Sequence, residues 1–280
     1  MNPFPFRSAL YRINALVWLL GLLFLAACDK QTSPSPGESA WLIAKEATRI
    51  YQQIPAGGPA RPQSLSATYQ NQVFYYAGQS QDTYRYDDQK RLTNRKATNP
   101  DRPDDGYSYN GEWTYRYTDN QLLVTYLNLS PRLPSAYPLN PQGYVDSGSY
   151  DADGRLVSST DGLVQQTLVE GNIVKQVVKS DYSLTTTTFE YDLTKQSLPN
   201  PFVVQQGRPS RNLLTKSTQI TESLIGMPAV LPDKRVILYR YEFDAQGRVS
   251  QQTAYEESTI LSDPQAFRRE LRITTYDFTR

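Results

Sequence analysis

The chain has 280 residues, with 29 Lys plus Arg, 28 Asp plus Glu, no histidine, one cysteine and 21 tyrosines. Without His, the usual general base and the commonest metal ligand are missing. A single Cys excludes a disulfide framework and a structural zinc site, and a formal charge of +1 gives no basic footprint for nucleic acid.

The N-terminus reads as a targeting segment. Arg7 and Arg12 flank an uncharged run of 13 residues, Ala15 to Ala27. That run is short for a bilayer, which needs about 20 apolar residues in a helix, and suits the core of a signal peptide. It ends in Leu25-Ala26-Ala27-Cys28, which resembles the bacterial lipobox. The resemblance implies peptidase recognition through Leu25, Ala26 and Ala27, cleavage before Cys28, and diacylglycerol on the Cys28 thiol. Residues 1–27 are then signal peptide, and 28–38 are the lipidated Cys and a Pro/Ser-containing tether. Loss of Arg7 and Arg12 leaves 27 basic against 28 acidic side chains, or −1, without attraction to anionic lipid. Asp29 resembles the inner-membrane retention signal of enteric bacteria, which other lineages do not read so. The expectation is a lipid-anchored protein of the bacterial cell envelope, at the outer membrane (periplasmic or surface face) in preference to the inner.

Residues 39–280 are expected to form a single β-rich domain, with two subdomains as the alternative. It opens on an amphipathic pattern: Ile43, Ala47, Ile50, Tyr51 and Ile54 share one face of a helix. Ser39 is its N-cap and Ala56-Gly57-Gly58-Pro59 its stop. The spacing predicts a helix over 39–55. After Pro62 the period becomes two. Trp113, Tyr115 and Tyr117 alternate with Thr114 and Arg116; Ile237, Tyr239, Tyr241 and Phe243 alternate with Leu238, Arg240 and Glu242. These are strand compositions, and about a dozen strands are expected. No second long amphipathic helix is seen, so the sheet should be antiparallel.

A motif recurs, Y-x-Y-D-x-x-G-R-L. Its copies begin at Thr83, Trp113 and Ser149, partially at Phe189, and most fully at Tyr239, through Asp244-Ala245-Gln246-Gly247-Arg248-Val249. The logic is that of a hairpin: alternate aromatics on one face, Asp bonding the turn amides, Gly taking a positive φ, Arg-Leu starting the return strand. The first two copies lack the turn Gly, with Lys90 and Gln121 in its place. These hairpins resemble YD-repeat elements. With the lipobox, and with Gly143 to Leu156, Glu170 to Lys175 and Pro199-Asn200-Pro201, the chain is similar over about residues 65–280 to a Bacteroidota lipoprotein family of unknown function. That resemblance implies a large twisted antiparallel sheet in the cell envelope and carries no catalytic residues.

The fold class expected is therefore mainly β, a meander of YD-like hairpins with one N-terminal helix packed on the sheet. Arg85, Arg116 and Arg240, each between two tyrosines, would form a cationic row if their strands were neighbours; a solvated face is the alternative. Trp113, Tyr107 and Tyr109 are the aromatics to test for a glycan face, against plain packing. Asp151-Ala152-Asp153-Gly154 resembles a fragment of a calcium loop, but a hairpin turn also explains it; no metal and no cofactor is assigned. No catalytic residue is identified. The function expected is non-enzymatic binding or scaffolding at the membrane, attached through Cys28, with a protein or glycan partner and no nucleic acid. The alternatives are a His-free carbohydrate-active hydrolase or glycan binder, and a half-barrel carrier of an apolar ligand.

Overall fold

A computed structural model describes residues 41–53, 66–101, 110–127, 134–224, 233–260 and 263–280, with side chains of 263–267 excepted. In chain order the strands are β1 (Leu42–Gln52), β2 (Ser66–Tyr69), β3 (Gln72–Tyr86), β4 (Leu92–Thr98), β5 (Gly111–Tyr117), β6 (Gln121–Tyr126), β7 (Ser135–Pro138) and β8 (Gly148–Tyr150). They continue as β9 (Leu156–Ser159), β10 (Val164–Val169), β11 (Asn172–Lys179), β12 (Ser183–Gln196), β13 (Asn212–Ser223), β14 (Asp233–Phe243), β15 (Val249–Ile260) and β16 (Asp263–Thr279). Among the described residues one short helix, α1 (Val203–Gln206), lies between β12 and β13.

All sixteen strands belong to one antiparallel sheet, as the alternating patterns require. Its order is β7-β6-β5-β4-β3-β1-β16-β15-β14-β13-β12-β11-β10-β9-β8, with β2 paired to β3. The first and last described strands meet near the middle: Leu42 faces Thr279 and Gln52 faces Glu270. No ladder joins β7 to β8, so strand pairing does not close the sheet. The segment between them is tied back instead, by a bridge between Leu139 and Val145 and by the Asp146 N–H donating to Pro138 O at 2.8 Å.

The helix expected over 39–55 is not formed: 42–52 is β1, while Ser39 and Ile54–Pro59 lie outside the described residues. The helical spacing arose because β1 has apolar residues on both faces. Ile50 and Tyr51 are adjacent, so they point opposite ways from a strand, and a bulge between Ile43 and Lys45 resets the alternation. Pairing with β3 on one side and β16 on the other outweighs a helical preference of a few tenths of a kcal/mol per residue (about 0–0.7).

The YD turns share one geometry. In 87–91, 151–155 and 244–248 the Asp N–H donates to the Arg carbonyl at 3.0, 2.9 and 2.8 Å, and the fourth residue's N–H donates to the Asp carbonyl at 2.8, 3.0 and 3.0 Å. The Arg N–H donates to Asp Oδ1 at 2.8, 2.8 and 2.9 Å. The fourth position has φ 82° at Gly154, 76° at Gly247 and 60° at Lys90, so the first repeat keeps the turn at a backbone cost. The second copy does not: Thr118 N–H bonds Gln121 O in a shorter turn. Asn140 to Tyr144 makes the same five-residue turn with Asn for Asp and Gly143 at φ 82°. The N-x-x-G spacing carried that signal, without the flanking Tyr-Asp.

The second tyrosine of the motif has a separate task. At this end of the sheet β1, β4, β11 and β13 each carry a bulge that takes one residue out of register. A bulge leaves main-chain groups off the ladder. Tyr86, Tyr117, Tyr191 and Tyr241 reach across from the next strand and donate their hydroxyls to Ile43 O, Leu92 O, Ile173 O and Leu214 O at 2.7, 3.0, 2.7 and 2.7 Å. Each tyrosine stands three residues beyond the last ladder pair of its seam, after Thr83, Thr114, Thr188 and Leu238 respectively. The seam between β15 and β16 has the same bulge, at Ser250 after Val249, and the same spacing, but Phe278 stands where the tyrosine would.

Two apolar clusters anchor the sheet. One, at the YD-turn end, gathers Ile43, Tyr84, Leu92, Tyr115, Leu122 and Val145, with Phe202 and Val204 packed against them. It is sealed by the connection 197–211: Phe202 meets the Tyr84 ring edge-on at 6.0 Å, Val204 O accepts from Val145 N–H at 2.8 Å, and Arg208 N–H donates to Gly154 O at 2.8 Å. The other gathers Tyr51, Tyr69, Phe74, Tyr255 and Leu271.

Candidate functional site

The residues singled out by sequence fall apart in space. Arg85, Arg116 and Arg240 lie on β3, β5 and β14, which are not neighbours, so no cationic row forms. Arg85 and Arg116 are exposed, opposite the buried Tyr84 and Tyr115, as alternation requires. The Arg240 guanidinium lies over the Tyr69 ring at 5.2 Å. Trp113 is packed, its ring 4.9 Å from that of Tyr126 with the Arg95 guanidinium 4.8 Å from it. Asp153 pairs with Arg155 at 2.6 Å, and Asp151 holds the turn, which accounts for both carboxylates of the calcium-like fragment. Hydrogen bonding and charge from Arg155 hold the Asp153 carboxyl below the usual range. Cys28, Leu25, Ala26, Ala27, Tyr107 and Tyr109 lie outside the described residues.

Two features that single-residue reading missed are built by cross-strand register. On the face shared by Tyr84 and Glu46, an ion-pair ladder crosses β14, β15 and β16. Arg235 meets Glu256 at 3.2 Å, Glu256 meets Arg272 at 2.5 Å, Arg272 meets Glu270 at 2.7 Å, and Glu270 meets Arg268 at 2.6 Å. Gln52 of β1 donates to Glu270 at 3.1 Å. Both glutamates are buried. Burial pushes the Glu270 carboxyl up, but hydrogen bonds from Arg272 and Gln52 outweigh it and hold the group below its ordinary value. Nearby, the Tyr84 hydroxyl donates to Glu46 at 2.8 Å, and burial raises the Glu46 carboxyl.

The opposite face carries a groove of about 310 Å³. Its walls are three facing pairs of β14 and β15: Lys234 with Thr259, Val236 with Glu257, and Leu238 with Tyr255. The Tyr255 ring is stacked on Tyr69 at 5.1 Å, and its hydroxyl donates to Glu257 at 3.0 Å. Burial, and then the Glu257 carboxylate, push the Tyr255 phenol up to about 12. Glu257 also pairs with Arg269 at 3.3 Å. The groove thus offers an aliphatic floor, one free-standing cation at Lys234 and a carboxylate already held by two partners. It can bind; its one lining carboxylate has no second beside it in the lining for paired acid–base work. Pairs 17 to 25 residues apart in sequence make this groove, and no local motif marks it.

No family model matches the chain, and no curated protein matches it. Among solved structures, one similar chain is a porin-like protein from Bacteroides uniformis, with 16% sequence identity over 85% of this chain and 98% of that one, and a TM-score of 0.47.

Proposed function

We propose that the protein is a non-enzymatic, lipid-anchored protein of the cell envelope whose sheet stands in water and binds a protein partner through the β14–β15 groove. The observation that carries this reading is the charge on both faces of the central strands. One face holds Glu46, Glu256, Glu270 and Arg272; the other holds Lys45, Arg49, Lys234, Arg240 and Glu257. A sheet that crosses a bilayer needs an apolar band about 25 Å tall on one face, and these strands have none. A carrier of apolar ligands needs a broad aliphatic lining; one face carries the ion ladder instead, and the groove on the other has Val236 and Leu238 as its aliphatic lining. A glycan platform needs free aromatic faces; Tyr255 is already stacked on Tyr69, and Trp113 packs at a tilt against Tyr126.

The membrane attachment rests on Cys28. Cys28→Ala should leave the protein unprocessed or released from the membrane fraction; a variant fully processed and still membrane-bound sinks the anchor. The groove is tested by a photoreactive residue at Val236 in the anchored protein. A crosslinked partner, lost in Lys234→Glu and absent from the same probe placed at Gly162, supports the site. Equal labelling at Gly162 removes it.

A further inference from the structure

β1 begins at the YD-turn end of the sheet, so the chain between Cys28 and Trp41 arrives at that end. Thirteen residues span at most about 45 Å, and as a flexible coil about 20 Å on average. β1 alone, at 11 residues, is about 36 Å long, so the opposite end stands well beyond that average reach.

The rim beside Trp41 has a particular composition. Leu193 is 66% exposed and Phe243 is 40% exposed. Lys195 lies over the Phe243 ring at 4.9 Å, and Phe243 leads into the turn that ends at Arg248. Arg248 and Arg280 both lie over the Trp41 ring at 4.5 Å. Asp244 neutralises Arg248 at 2.6 Å, and Asp192, held by Thr194, sits two residues before Thr194 and three before Lys195. The patch is therefore apolar and aromatic with long cationic stems and little net charge. Those stems can lay their methylenes along apolar surface while the heads stay at a polar boundary, the arrangement favoured at membrane interfaces.

We propose that this rim, Leu193, Lys195, Phe243, Arg248 and Trp41, docks on the bilayer surface that the lipid anchors. The proposal rests on the Cys28 reading above. Because the tether makes the contact intramolecular, its effective concentration is high, and a few side chains suffice to hold it. Docking would turn the YD-turn end to the lipid and the opposite end outward.

The test uses the mature lipidated protein in vesicles of phosphatidylethanolamine and phosphatidylglycerol. The chain has three tryptophans, and Trp18 leaves with the signal peptide, so Trp113→Phe makes Trp41 the sole emitter. A doxyl-labelled lipid should quench Trp41, in high salt as in low. Leu193→Asp with Phe243→Asp should cut that quenching by half or more while the protein still floats with the vesicles. Leu163→Asp with Tyr182→Asp, at the opposite end, should leave it unchanged. An unquenched Trp41 in vesicle-bound protein overturns the proposal, as does equal quenching in the rim variant. So does a Trp41 signal that follows protein concentration without lipid, which would mean a second copy on the rim. A protein that fails to float, or carries no lipid mass on Cys28, overturns the anchor reading instead. Should Trp113→Phe not fold, a diazirine lipid replaces the quencher: adducts at 193–195 and 243–248 support the docking, and adducts confined to the tether refute it.

Discussion

The tyrosine at each seam gives the sharpest stability prediction. Tyr241→Phe removes the hydroxyl that donates to Leu214 O at 2.7 Å and leaves the ring in place. The ring's packing is kept, so the main loss is the bond to a half-buried carbonyl, about 1 kcal/mol, and the longer bond that the hydroxyl accepts from Gln252 at 3.2 Å goes with it. For a domain of this size that is a fall in Tm of about 2–4 °C. Tyr86, Tyr117 and Tyr241 lie on separate seams, so the triple Phe variant should lose about 3 kcal/mol, nearly additively. Phe278 supplies the reverse experiment. It stands three residues beyond Thr275, the last ladder partner of Gln251, as Tyr241 stands beyond Leu238. Phe278→Tyr should therefore add a hydroxyl facing the Val249 carbonyl and gain about 0.5–1.5 kcal/mol. Urea titration followed by tryptophan emission reads all five proteins, with Tyr182→Phe, 50% exposed, as the neutral control. A triple variant as stable as the parent, or a destabilising Phe278→Tyr, would mean that water already satisfies these carbonyls and that the motif tyrosine only packs.

Three further outcomes test the electrostatics and the turns. Arg272→Met leaves Glu256 and Glu270 each with one remaining cation, and should cost about 2 kcal/mol, moderated because Arg272 is 38% exposed. Glu270 sits below its ordinary pKa, so its contribution is present above the unfolded value near 4.5 and is lost as pH falls through the folded one. Urea titrations across pH should show that acid-side loss in the parent and a weaker one in the variant. Glu46→Gln acts in the opposite sense. Its raised carboxyl favours the folded state at low pH and loses that advantage as pH rises. The amide still accepts from Tyr84, so the variant should be more stable than the parent at pH 7, with the difference gone below about pH 4 in the same assay. In the turns, Gly247→Ala meets no atom within 4 Å and should cost only the left-handed backbone, about 1 kcal/mol. Gly154→Ala drives its Cβ into the Tyr144 hydroxyl and ring and should cost clearly more, whereas Lys90→Gly should stabilise; thermal melts rank the three.

What could be read from sequence was whatever is local. Alternation placed β5 and β14, and Asp with Gly three residues on placed the turns, because both depend on near neighbours in the chain. β1 was misread for the same reason: its two pairing partners, β3 and β16, lie outside any window, and a bulge imitated a helical period. The arginine row failed because strand order is set by long-range pairing that Tyr-Arg-Tyr does not encode. The ion ladder and the groove depend on register, on which residue of β15 faces which of β14, and a shift by one would exchange the two faces. Of the 21 tyrosines, the four at the seams show a use that composition alone could not separate from core packing.

The union of β1 with β16 has a consequence for biogenesis. Thr48 bonds Thr274 across 226 residues of chain, so β1 cannot complete its ladder until β16 has been made. Hairpins such as β3–β4 and β14–β15 can form as they emerge, but β1 must wait with one edge open. Closing a loop of that length is an entropic delay that grows only slowly with chain length, and waiting edges of this kind are where strands join the wrong chain. The body is therefore most exposed to misassembly late in synthesis, and a chain cut short before β16 would lose its centre and not merely its tail.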